Sequence, residues 1–201
     1  MEYLHGHDHQ YTHDHEHGSV HTHEHHHHDH SHEHHHDHGH HHEHRGLHEI
    51  LHIIEHADMT ERAKKTAVRI FQILAEAESK AHGVPADQVH FHEVGAVDSI
   101  VDILAVAVCL DNLDITEVIV PFLCEGQGSI RCQHGIIPVP VPAVVNIAQA
   151  HGLTLKPTGV QGELVTPTGA AIVAAVRTSD KLPQTCRIVK IGMGAGKREY
   201  E

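Results

Sequence analysis

The chain has 201 residues, thirty histidines and a formal charge of −13. That length supports one domain with a packed core, and the acidic balance opposes binding to nucleic acid, which needs a basic surface. The excess charge is local: residues 1–56 hold eleven acids against the single base Arg45, whereas residues 57–201 hold sixteen acids and thirteen bases.

Residues 5–44 contain 22 histidines, mostly in H-x-H or H-H steps among Asp, Glu and Gly. So little apolar surface cannot offset the entropy of ordering. Residues 1–48 are therefore expected to be a disordered His-rich metal-binding tail, and residues 49–201 a globular α/β domain. Neutral imidazole suits Ni, Cu, Zn and Co, and overlapping sites on a flexible chain give capacity with little selectivity. An expression tag is a short unbroken His run, unlike this long mixture with carboxylates. A linker without a role is the plain alternative.

From Leu47 apolar residues return, and His48, His52 and His56 at fourfold spacing form one stripe if helical: either a route for metal or a solvated face. Asp58-x-x-Glu61 has the form of an N-cap with its N3 partner. Ala67, Ile70, Phe71, Leu74 and Ala81 continue at helical intervals to Gly83, predicting a helix that covers a sheet.

The densest chemistry lies in His90-Phe91-His92-Glu93-Val94-Gly95-Ala96-Val97-Asp98-Ser99-Ile100-Val101-Asp102. If His90 to Val94 is extended, His90 and His92 share one face and Phe91 points to a core. Val97, Ile100, Val101, Leu104, Ala105 and Val108 then recur at helical spacing to about Leu110, so Asp98 and Asp102 stand one turn apart. Carboxylates are favoured at a helix start, and the mixed N/O set of His90, His92, Glu93, Asp98 and Asp102 suits Ni, Zn, Mn or Co. Taken singly, each residue reads as an ordinary cap, solvated carboxylate or half-exposed histidine; it is the set together that points to a metal.

Asn112 and Asp114 break this helix, and Glu117 to Leu123 reads as a buried strand. Residues 125–135 carry glycines where backbone turns tightly or approaches a ligand, and Arg131 and His134 there suit a phosphate or carboxylate, or serve an ordinary hairpin. Pro138, Pro140 and Pro142 alternate, which excludes a central strand and leads into a helix over about Ala143 to Ala150. A strand at Thr154 to Lys156 follows, then a helix ending near Val176. Thr166 and Thr168 at its start offer an anion site or a simple cap. Cys186 to Met193 reads as a last strand, and Gly192-x-Gly194-x-Gly196 after it, with no following helix, does not indicate dinucleotide binding. Five or six strands mixed with helices predict α/β architecture, a layered mixed sheet with flanking helices.

Neither a signal peptide nor an 18-residue apolar run occurs, and Cys109, Cys124, Cys132 and Cys186 form no C-x-x-C pair. A soluble cytoplasmic protein with no membrane partner is expected. Cys109 reads as a small core residue, while Cys124 and Cys132 flank the glycine-rich turn and are weak soft-ligand candidates.

Three segments together, residues 90–102, G-x-G-x-I-x-C-x-H-G-x-x-P-V-P-x-P-A over 126–143 and G-E-L-V-T-P-T-G-A-A over 162–171, resemble the LarC-type nickel-insertion proteins. The resemblance implies a nickel chelatase that inserts Ni(II) into pyridinium-3,5-bisthiocarboxylic acid mononucleotide, giving the nickel-pincer nucleotide of lactate racemase. It also implies dependence on CTP with Mn(II) or Mg(II). Members of that family begin with a strand and an S-G-x-S-G-D-M type loop, and carry CTP binding in a C-terminal half. Neither is found here, so the chain is expected to be an internal part of a larger protein, acting with a C-terminal CTP-binding part.

On this reading the tail gathers Ni(II), the 90–102 cluster holds it transiently, and Arg131, His134, Thr166 and Thr168 position the dithiolated nucleotide. The cluster equally suits a nucleotide-associated Mn or Mg. No catalytic residue is assigned. The rival functions are a nickel store or metallochaperone without chemistry, and a hydrolase using His90, His92 and Asp98 with a bound water.

Overall fold

The computed structural model describes residues 46–89, 91, 97–132, 134–194 and 196. The His-rich segment up to Arg45, and His90, His92 and Glu93, lie outside the described residues. Helix α1 spans Leu47–His56, and α2, Glu61–His82, is the long central element. Thr60 rather than Asp58 caps α2: its Oγ1 accepts from Ala63 N–H at 3.1 Å and donates to Asp111 at 2.6 Å, so one hydroxyl both ends an orphan donor and ties in the next helix. At the other end Gly83 adopts φ 68°, a left-handed stop that a side chain would strain.

Helix α3 covers Val97–Asn112, α4 Pro142–His151 and α5 Pro167–Val176. Helix α2 packs on α1, α3, α4 and α5, and buries Ile70, Phe71 and Leu74 completely. It is thus the hub of a helical cluster rather than the cover of a sheet. Phe91 inserts beside Phe71, ring centres 6.3 Å apart and edge to face, which realises the expected inward turn of that side chain. On α3 the buried face is Ile100, Ile103 and Ala107, while Val97 and Val101 are exposed, because the i, i+3, i+7 row meets α2. Cys109 is exposed rather than a core residue.

The strands form two separate pairs, so among the described residues the α/β architecture has no single layered mixed sheet. Strand β1, Leu123–Gln127, runs parallel to β4, Leu155–Gln161, and β2, Ser129–Cys132, forms an antiparallel hairpin with β3, Gly135–Pro138. Pairing of β2 with β3 leaves Cys124, on β1 opposite Lys156, outside the hairpin that carries Cys132. The strand expected over Glu117 to Leu123 shrinks to an Ile119–Ser179 bridge; Pro121 has no N–H to give, and pairing begins only at Leu123, which donates to Thr154 O at 2.8 Å. Cys186 to Met193 is not a strand. It meets no partner strand among the described residues, and Ile188, Val189, Ile191 and Met193 are at least 74% exposed. No helix among the described residues is long and apolar enough to cross a membrane.

Candidate functional site

A cleft of about 430 Å³ opens where six parts of the chain meet. The last turns of α2 bring Glu78 and His82, and Phe91 forms part of the wall. The β2–β3 hairpin brings Ile130, Cys132, His134 and Ile137. Val141, Pro142 and Ala143 come from the start of α4, and Glu163, Thr166, Pro167 and Thr168 from the start of α5, with Ser99 of α3 completing the lining.

Spacing explains the α2 contribution. Glu78 and His82 stand four residues apart on one helix face, with Glu78 Oε2 3.3 Å from His82 Nε2. The His82 and His134 rings have centres 5.0 Å apart, so two imidazoles from distant sequence positions meet at the same end of the hairpin. Strand alternation explains the hairpin: Ile130 and Cys132 share one side and line the cleft, whereas Arg131 falls between them and is exposed.

Two helix N-termini border the cavity, each with proline in its first turn. Such ends carry partial positive charge and orphan N–H groups. Thr166 Oγ1 accepts from Gly169 N–H at 3.1 Å, which leaves the Thr168 hydroxyl and amide as donors towards an anion.

Glu125 builds this end of the cleft from beneath. It is 1% exposed, and its Oε1 accepts the N–H groups of Gly126, Leu164 and Val165 at 2.8, 2.9 and 3.2 Å. Three donors on one carboxylate oxygen fix the loop that delivers Glu163 and Thr166. The neighbouring Gly126 is obligatory for the same packing: a Cβ there would lie 1.8 Å from the Gly162 carbonyl oxygen.

Of the residues singled out from sequence, the fold gathers His134, Thr166 and Thr168 into one cleft, together with the soft-ligand candidate Cys132. Arg131, Asp98 and Asp102 are exposed and do not line it; Asp98 Oδ1 accepts from Ser99 N–H at 2.9 Å, as a local cap would. His90, His92 and Glu93 lie outside the described residues, although Phe91 between them in sequence is 2% exposed and lines the cleft. Sequence reasoning passed over Glu78, His82, Glu163 and Glu125. The Glu-x-x-x-His spacing just before the Gly83 stop was the available signal for the first two. Among the described residues no group of three or more His, Cys, Asp or Glu is set to hold a metal ion.

A family model described as nickel insertion protein matches residues 4–201. The chain is 56% identical over 155 residues to the pyridinium-3,5-bisthiocarboxylic acid mononucleotide nickel insertion protein of Alkaliphilus metalliredigens, covering 77% of this chain and 37% of that protein. Proteins of the same name from Geobacillus kaustophilus and Akkermansia muciniphila are 46% and 43% identical, each over 77% of this chain and 37% and 38% of their own lengths. The chain therefore spans less than two fifths of the length of these relatives. No solved structure matches it. With a family model extending over nearly all of its residues, this chain belongs to the nickel insertion protein family.

Proposed function

We propose that this chain is the nickel-handling part of a chelatase that inserts Ni(II) into pyridinium-3,5-bisthiocarboxylic acid mononucleotide, forming the nickel-pincer nucleotide used by lactate racemase. The single observation that carries the reading is the cleft, where an apolar wall, two imidazoles, a thiol and two helix N-termini occur together. An aromatic pyridinium ring suits the wall of Phe91, Ile130 and Ile137, and a phosphate suits the start of α5 with Thr166 and Thr168. Arg131 is proposed for the outer edge of the same nucleotide site.

Nickel is the cargo. His90, His92, Glu93, Asp98 and Asp102 are the proposed holding set, and His82, His134 and Cys132 are the cleft donors nearest the proposed nucleotide position. Imidazole and carboxylate are borderline to hard ligands that exchange, so the softer thiocarboxylate sulfurs of the substrate draw the ion away from them. CTP and its Mn(II) or Mg(II) ion are proposed to act through the remainder of the longer protein. The same reading places the chain in the cytoplasm, with no nucleic-acid partner.

The test supplies the chain, joined to the C-terminal part found in its longer relatives, with nickel, CTP and the dithiolated nucleotide, and follows the metallated product by mass spectrometry. His134→Ala and Thr168→Val are each expected to lower the rate about tenfold or more, the usual loss when a positioning contact to substrate is removed. Unchanged rates in both variants would overturn the assignment of the cleft.

A nickel store without chemistry is the second reading, favoured by the 22 histidines of residues 5–44. Deleting residues 1–48 separates the two. A store loses its nickel capacity and with it its function, whereas a chelatase keeps its turnover when nickel is abundant.

A further inference from the structure

Helix α1 carries His48, His52 and His56 on its exposed face, while Ile50 and Ile54 on the opposite face are fully buried. The buried pair locks the helix against rotation, so the histidine face has a fixed direction. The His52 and His56 rings lie with centres 4.2 Å apart and planes 31° apart. His56 Nδ1 is 2.9 Å from the His52 carbonyl oxygen. A carbonyl can only accept, so Nδ1 bears the proton in the neutral ring and the lone pair resides on Nε2. A backbone carbonyl holding the far nitrogen is the arrangement that orients a metal-binding imidazole and raises its basicity.

His56 sits in the last turn of α1, where the helix dipole favours a cation, and His52 stands one turn before it. The nearby charged groups are Glu49, which accepts from Gly46 N–H at 2.9 Å, Glu55, and Lys64, whose Nζ donates to the Glu55 carbonyl at 2.7 Å. None of the two carboxylates or other donors joins the pair in a three-ligand group among the described residues.

We propose that His52 and His56 form a two-imidazole chelate for Ni(II), an exchange site on the helix that directly follows the His-rich segment. Two nitrogen donors at i, i+4 on a rigid helix provide an entropically prepaid chelate, and borderline nitrogen ligands match Ni(II). Only two protein ligands leave the remaining coordination positions to water or to a passing imidazole. Metal can therefore be received from one donor and surrendered to another by ligand substitution, with no change of oxidation state. The exchange role rests on the nickel-insertion reading; binding of the ion does not.

The experiment uses the whole 201-residue chain, labelled with ¹⁵N and with ¹³C in its histidine rings, and NiCl₂ as the probe. Paramagnetic broadening is expected at the His52 and His56 ring signals and at the amides of Ile53 to Ala57. The double variant His52→Gln, His56→Gln, with α1 shown intact by its amide shifts, should lose that amide broadening while the rest of the chain responds as before. Equal broadening in the double variant would mean that the ion sits elsewhere, and would overturn the chelate. The second measurement follows nickel insertion by the protein joined to its C-terminal part. The double variant should be several-fold slower when nickel is limiting and unchanged when it is saturating. Localised broadening with no loss of rate at limiting nickel overturns the exchange role. An absence of all insertion instead counts against the proposed function, and the spectra still decide the chelate.

Discussion

Glu125 shows how one side chain can set the shape of a site it does not line. Its Oε1 collects N–H groups from Gly126, Leu164 and Val165, joining β1 to the loop before α5. Its Oε2 is buried with no partner among the described residues, so the stabilisation comes through one oxygen. Glu125→Ala would leave three donors unpaired, those of Gly126 and Val165 buried and that of Leu164 part-buried. The expected loss is about 2–4 kcal/mol, from a desolvation cost of about 1–3 kcal/mol per buried unpaired group with partial relaxation. Glu125→Gln keeps the accepting oxygen and should lose less. Urea denaturation of the two variants checks the order, and equal stabilities would contradict it.

Among the elements, α2 is anchored through its N-cap. Thr60 caps the helix and also donates to Asp111 of α3, while Arg62 two residues on approaches Asp111 at 3.5 Å and Asp114 at 2.9 Å. These contacts place the α2 start against the α3 end. Thr60→Ala removes cap and bridge together and should cost about 1–2 kcal/mol, towards the upper end for a cap. Thr60→Ser should restore most of it, because the hydroxyl performs both tasks. Thermal unfolding of the two variants measures the difference. The exposed Arg62 pairs are expected to add little in comparison.

At the scale of the whole molecule, stability is tied to pH through His151 at the end of α4. Burial, and then the positive charge of Arg69 on α2, hold its pKa below the ordinary histidine value of about 6.5, with Glu76 opposing only in part. The unfolded chain then binds more protons than the folded one across that interval, so stability rises with pH there. The contribution is intact above about pH 6.5 and is lost as the pH falls through the folded-state value. His151→Gln should flatten the stability profile just below about pH 6.5 relative to the parent chain, and an unchanged slope would refute the assignment. The parallel comparison cancels the many other histidines, which are common to both proteins.

Local chemistry sufficed for the helices. The 3.6-residue recurrence of Ile70, Phe71 and Leu74, the Gly83 stop and the Thr166 cap act within a turn or two of chain, and so were legible residue by residue. The long motifs around His90–Asp102, 126–143 and 162–171 likewise carry the family by themselves. Strands were less legible, because a run such as Ile188 to Met193 has strand composition but acquires structure only by pairing with another edge. The cleft was beyond sequence periodicity altogether: His82 ends α2 and His134 turns a hairpin, and only the packing of α2 against α4 and α5 brings that helix end to the hairpin and the α5 N-terminus. Local periods determine which faces are apolar; which polar groups then share a cavity is decided by contacts between residues far apart in the chain, where close packing selects one arrangement among many.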